Sequence, residues 1–305
     1  MLSRVADSLY WMARYLERAE HTSRLVAVQT EMMLDQHAYS SGERWSRILE
    51  GLGDPVPVAD EDNLTHTLLY DPRCRASIVS CISSARENCR QARNEVSSQM
   101  WEQLNRMFHE VRRFSTEGAL VAQPIEFLQF VEQGVHTFRG INDSTMSHSE
   151  GWQFVEVGQY LERAINTATL LDAHFRHQST HLEWIGLLRS CTAFEAYLAE
   201  HTVDIRPEKA AEFLLLDPAF PHSIRFSVDR LNGAMANMPA SDERGSRATR
   251  LAGRLRASLS YIQIEEMMAD GIRSHLDEVK RQGAAIHAAL QEGYIDYRVD
   301  TALSA

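Results

Sequence analysis

Helix breakers are scarce in this chain, with eight prolines and fifteen glycines in 305 residues. The prolines fall at Asp54-Pro55-Val56-Pro57, Asp71-Pro72, Gln123-Pro124, Arg206-Pro207, Asp217-Pro218, Phe220-Pro221 and Met238-Pro239. Long stretches between these points are free to be helical. No convincing run alternates apolar and polar residues with period two, which leaves little place for strands. No window offers the ~18 uncharged apolar residues of a membrane-spanning helix.

Cysteine is scarce too. Cys74, Cys81, Cys89 and Cys191 fit neither a disulfide framework nor the paired CxxC spacing of a zinc site. Three of them recur at intervals of seven and eight within one stretch, as small apolar packing residues do, and a reducing compartment suits them. Arg4, Asp7, Arg14 and Glu17 interrupt any apolar region near Met1, so no signal peptide is expected and the expected location is cytoplasmic. The GxxxxGK, GxGxxG, HExxH and GxSxG signatures are missing as well. Their absence disfavours a nucleotide-hydrolysing or dinucleotide-binding site in this chain, and no cofactor or metal is expected. A net charge of -11 repels phosphates unless Lys and Arg are locally concentrated, which argues against nucleic acid or an anionic membrane as partner.

What remains is a chain with 44% hydrophobic residues, enough for a sizeable core. Val5, Leu9, Met12, Leu16, Ala19, Ser23 and Val26 recur at alternating intervals of four and three, which places them on one seam of a helix. Ser77 to Phe114 reads as one long helix or two nearly continuous ones, and Ser246 to Leu290 as another long helix.

Comparison of the chain with itself reveals a repeat. Tyr15-Leu16-Glu17-Arg18-Ala19, Thr22 and Leu25 match Tyr160-Leu161-Glu162-Arg163-Ala164, Thr167 and Leu170 at an offset of 145. The seam is repeated in Phe154, Val157, Leu161, Ala164, Ala168 and Leu171. Further on, Leu68-Leu69-Tyr70-Asp71-Pro72 and Ser77-Ile78 match Leu214-Leu215-Leu216-Asp217-Pro218 and Ser223-Ile224 at an offset of 146, and Trp45-x-x-Ile48-Leu49 resembles Trp184-x-x-Leu187-Leu188 at 139. The expectation is an all-α fold of two similar helical-bundle halves, 1–145 and 146–305, made by internal duplication and packed about an approximate two-fold axis into one compact unit.

Within the repeat, Tyr15, Arg18, Thr22 and Leu25 form a stripe beside the seam, and Glu17 lies on the next stripe round. Three readings of the duplicated Glu-Arg pair stand open. The charges are solvated and make weak helical pairs of ~0.2 to 0.5 kcal/mol; or they are buried and paired reciprocally, Glu17 with Arg163 and Arg18 with Glu162, beneath Tyr15 and Tyr160; or they line a pocket, the arginines binding a carboxylate or phosphate and Glu17 or Glu162 acting as base. Arg86, Arg90 and Arg93 form a basic stripe that suits an acidic peptide or phosphate, although a solvated helix face is the preferred reading. His174, His177 and His181 have spacings that converge on a metal only if one helix runs through them. Gln178-Ser179-Thr180 reads instead as a loop with a capping residue. Trp101 is expected to pack at the far end of the Ser77 helix.

The segment from Ala6 to Glu20, with Gly158-Gln159-Tyr160-Leu161-Glu162-Arg163-Ala164, resembles the Alpha-E family, a bacterial helical domain with a Glu-Arg motif. Ser84-Ala85-Arg86-Glu87-Asn88-Cys89-Arg90, Trp101-Glu102-x-Leu104-Asn105, Thr145-Met146 and Gly151-Trp152-x-Phe154 extend the likeness over nearly the whole chain, with Cys89 standing where a small residue such as alanine is expected. The resemblance implies partners: an ATP-grasp protein and a transglutaminase-like protein, in the making or modifying of peptides. The expected role is a binding or scaffolding subunit. The rivals are an enzyme using Glu17 and Glu162 with Arg18, Arg163, Arg86 and Arg90 as anion clamps, and a purely structural assembly protein, with oligomers possible.

Overall fold

Apolar seams without proline become long helices. The computed structural model describes residues 1–35, 41–53, 56, 64–117, 124–177, 179–201, 204–238 and 243–295. Among them it has fourteen α-helices and no strand. In chain order these are α1 (Ser3–Asp35), α2 (Ser41–Leu52), α3 (Leu64–Tyr70), α4 (Ile78–Gln91), α5 (Ser98–Glu117), α6 (Pro124–Thr145) and α7 (Glu150–Arg176). Then follow α8 (His181–Ser190), α9 (Phe194–His201), α10 (Pro207–Leu216), α11 (Ile224–Ala236), α12 (Glu243–Tyr261), α13 (Ile264–Ala269) and α14 (Ile272–Leu290), with a π-helical turn at Gln291–Ile295. No helix among the described residues is long and apolar enough to cross a membrane. The expected breaks at Asp54-Pro55, Pro57, Gln123 and Pro239, the loop residue Gln178, and residues 296–305 of the expected second half lie outside the described residues.

Two of the expected long helices are subdivided. Ser77 to Phe114 is a helical hairpin: α4 ends where the Ala92 amide bonds Asn88 O, the chain turns, and Ser97 Oγ accepts the Met100 amide to start α5 against α4. Ser246 to Leu290 is three helices. A capping box between Gln263 and Glu266 starts α13, and Gly271, at φ +89°, starts α14. That left-handed backbone suits glycine, which has no Cβ to clash. Neither break carries a proline, and only the second is marked by a glycine, Gly271.

The two seams are buried as expected: Leu9, Met12, Leu16 and Ala19 on α1, and Phe154, Val157, Leu161 and Ala164 on α7. α1 packs on α4, α6 and α7, while α7 packs on α1, α11 and α14. α5 joins α4 and α6, as α12 joins α11 and α14. α2 lies on α7, and α8 lies on α1. Corresponding hydrogen bonds recur in the two sets. Thr22 Oγ1 donates to Ala76 O at 3.1 Å and Thr167 Oγ1 to His222 O at 3.2 Å. Ser77 and Ser223 each cap a helix and donate back to the carbonyl of Asp71 and Asp217 respectively. The four cysteines are buried as thiols, and burial pushes those of Cys89 and Cys191 up to about 12.

α1 and α7 approach closely because Gly158 has no side chain. A Cβ there would lie 2.3 Å from Tyr10 O and 3.2 Å from Ala13 Cβ. The obstacle is backbone, so a larger residue forces the two central helices apart. Gly158→Val is expected to cost about 3 kcal/mol in urea unfolding. Gly140→Ala is the control: it lies within α6, its added methyl meets nothing within 4 Å, and it should leave stability unchanged or raise it by up to ~1 kcal/mol.

Candidate functional site: crossed Glu-Arg pairs and an adjoining cavity

Once Leu16 and Ala19 occupy the core, Glu17 and Arg18 stand on the flanks of the α1–α7 contact, and Glu162 and Arg163 do the same from α7. Arg163 Nε and Nη2 donate to Glu17 Oε1 and Oε2 at 2.8 and 3.0 Å, a bidentate bridge, and Arg163 Nη1 donates to Pro221 O at 3.1 Å. On the other flank Arg18 Nε and Arg14 Nε both donate to Glu162. Each helix therefore meets the other's carboxylate with its own guanidinium. Glu17, Glu162 and Arg163 are buried, so the solvated reading fails. Arg18 and Arg163 lie 5.9 and 5.2 Å from the ring centres of Tyr15 and Tyr160, within cation–π range.

Further charges extend the pairs. Arg139 of α6 bonds Glu17 and makes an ion pair with Glu20, which also binds Arg24 one turn along α1 and His136 at 3.0 Å. Arg14 Nη1 donates to the Tyr10 hydroxyl at 2.9 Å, and that hydroxyl meets His287 Nδ1 at 2.8 Å. Burial opposes ionisation of Glu162, but Arg14 and Arg18 outweigh it and hold the carboxyl below its usual range. Arg139 and Arg24 likewise overcome burial at Glu20 and hold it well below that range. A carboxylate so held is a poor proton acceptor.

Beside Glu162 opens a cavity of about 370 Å³. Arg14 and Arg18 stand on its α1 side, Glu50 at the end of α2, and Lys280 on α14, with α7 running beneath. Asp172 of α7 is buried and accepts from Arg176 Nη2, Arg273 Nε and Lys280 Nζ, each at 2.9 Å. Burial works against its charge, but the bonds from Lys280 and Arg273 prevail and its carboxyl is lowered.

The other sequence candidates do not line this cavity, although His177 bonds Glu50 at its edge. Arg86 is bonded to Asn105 Oδ1 at 2.7 Å and lies 4.4 Å over the Phe108 ring and 5.2 Å over Trp101. Arg90 is exposed and paired with Glu87, and Arg93 donates to Val96 O. The basic stripe is thus divided among local partners. His174 bonds Leu170 O of its own helix, His177 bonds Glu50, and His181 begins α8; the Thr180–Glu183 capping box marks the break between them. Sequence reasoning missed Arg139 and Asp172, which carry no motif, and Arg14, whose counterpart at the repeat offset is the uncharged Gln159. The i, i+4 interval from Arg14 to Arg18 on one helix face was the available signal.

The sequence profile described as a predicted alpha-helical domain with a conserved ER motif, Alpha-E, matches residues 1–295. The chain belongs to the Alpha-E family. Glu17-Arg18 and Glu162-Arg163 are two occurrences of that dipeptide, and both sit at the α1–α7 contact. The chain is also similar to uncharacterized proteins of Mycobacterium bovis and Mycobacterium tuberculosis, at 25% identity over 321 residues covering 95% of the chain. It spans 36% of the length of those relatives. No solved structure matches it.

Glu162→Gln leaves Arg14 and Arg18 facing a neutral amide, and should lower unfolding stability by about 3–5 kcal/mol. Arg90→Ala, at an exposed pair, should change it by less than ~1 kcal/mol. Burial pushes His21 and His174 down from 6.5 to about 4. Both rings stay neutral in the folded chain while the unfolded chain takes up protons. Stability should therefore be intact above about pH 6.5 and fall as pH drops toward 4, by on the order of 3 kcal/mol for each ring. A thermal midpoint that is flat across that window would contradict the assignment.

Proposed function

We propose that the chain is a helical binding or scaffolding subunit of an ATP-grasp-dependent peptide ligation or modification system. The observation that carries this reading is the mixed-charge cavity beside Glu162, whose size suits a small ligand or the end of a peptide. The sequence has no nucleotide-binding signature, so ATP belongs to the partner. ATP-grasp enzymes form amide bonds through an acyl phosphate, and a subunit that holds and orients the acceptor contributes by positioning. The relatives' length supports a modular role: nearly two thirds of each lies outside the match, so a segment of this kind is joined there to further chain. A transglutaminase-like protein is the second expected partner, and a reducing, cytoplasmic setting suits four buried thiols.

The rival enzyme reading is weakened at its own candidates, because the oxygens of Glu17 and Glu162 are held by guanidinium groups. We further assign the halves 1–145 and 146–305 to an internal duplication packed about an approximate two-fold axis. Three observations support this: the offset of 145 to 146 in the sequence, the matching helix neighbours, and the paired hydrogen bonds of Thr22 with Thr167 and Ser77 with Ser223.

Reconstitution tests the functional reading. Adding the chain to an ATP-grasp protein encoded alongside it, with a candidate peptide, should raise both ATP turnover and amide product. If the two proteins neither bind nor alter each other's turnover, the reading is wrong.

A further inference from the structure

The cavity beside Glu162 is built on one face of α7, through Glu162, Asn166, Thr169, Asp172 and Arg176, residues at intervals of three and four. Its lining has four cationic side chains against three carboxylates, a local positive excess in a chain of net charge -11. Two polar atoms on it lack hydrogen bonds. Asn166 is 8% exposed and its Nδ2 has no partner, while Glu50 Oε2 has no hydrogen bond and its nearest cation, Arg176 Nε, is 3.5 Å away. Buried polar atoms are rarely left unmet. One of these atoms is a donor and the other an acceptor, so a ligand that completes both carries both kinds of group.

The matching face of α1 indicates that the opening is built into α7. At the offset of 145, Glu20 stands where α7 has Ile165, and Arg24 where α7 has Thr169. Glu20 and Arg24 bind each other in the interior, with Arg139 and His136 on the same carboxylate. The α1 face is thus filled by its own ion pair, while α7 carries an apolar residue and a threonine in its place.

We propose that the α7 cavity binds an acidic α-amino acid, free or at the amino end of a short acidic peptide. Its carboxylates lie toward the arginine wall of α1, Asn166 and Lys280, and its amino group toward Glu50. The net single negative charge of such an amino acid balances the excess positive charge of the lining. This inference rests on the reading of the chain as a peptide-binding subunit and names the ligand class of that site.

Isothermal titration of the purified chain with L-glutamate, L-aspartate and the Glu-Glu dipeptide tests it, with L-glutamine, N-acetylglutamate and inorganic phosphate as controls. At least one acidic ligand should bind about tenfold more tightly than any control, the scale of one lost charged contact. The two sources are told apart by whether glutamate or the dipeptide binds better. Ile165→Glu with Thr169→Arg installs the α1 ion pair and should abolish binding. Asn166→Ala and Lys280→Met should each weaken it about fivefold or more, and they carry the test if the double variant does not fold. Absence of binding by every acidic ligand overturns the proposal, as does equal binding of phosphate, which would mean an adventitious ion only. Undiminished binding in a folded double variant overturns it too. A chain that stimulates its ATP-grasp partner without binding these ligands refutes this inference alone. A chain that binds them without affecting that partner refutes the functional reading alone.

Discussion

Two guanidinium–carboxylate bridges across the α1–α7 contact hold the middle of the molecule, and the missing side chain of Gly158 lets the helices come close enough to make them. Burying four charges costs several kcal/mol per ion unless each is met by its partner and by hydrogen bonds. Here each is met: Glu17 by Arg163 and Arg139, Glu162 by Arg18 and Arg14. Because each helix supplies one acid and one base to the other, a slip of one turn, about 5.4 Å, would strand charges on both sides at once. The bridges therefore fix register, which apolar seams with repeating spacing fix less strictly.

Much of this was legible in the sequence, for reasons that also explain what was not. The seams of α1 and α7 follow from spacing, and Ser77 and Ser223 announce helix starts by position and chemistry. Reciprocal pairing was one of three open readings of the repeat, since a repeated acid next to a repeated base allows each to meet the other's partner. The breaks at Ala92 and Gly271 were hidden because turns made without proline resemble ordinary helical sequence. Arg14 and Arg139 were hidden because they have no charged counterpart at the repeat offset or no motif. The cavity was the least legible feature, because it depends on side chains too small to fill a space that only the fold defines.

Net charge was a poor guide to the site. A total of -11 describes the surface as a whole, whereas the cavity gathers Arg14, Arg18, Arg176 and Lys280 against three carboxylates. The ion pairs of Asp172 illustrate the local rule. Three cationic groups converge on one buried carboxylate, and two of them also reach further carboxylates, Arg176 to Glu50 and Lys280 to Asp277.

The two Glu-Arg bridges differ in what surrounds them. Glu17 and Arg163 are enclosed with Arg139 and the pair Glu20–Arg24, so their charges are spent within the protein. Glu162 lies on the cavity, and its two arginines with it. By holding Arg14 and Arg18 through their Nε atoms, Glu162 fixes the two guanidinium planes at the cavity wall, and its own ionisation is secured by the same contacts. A group bound there meets cations whose positions are already set, so less ordering is needed on association. On the proposed reading, the structural pairing at this flank is also what prepares the site.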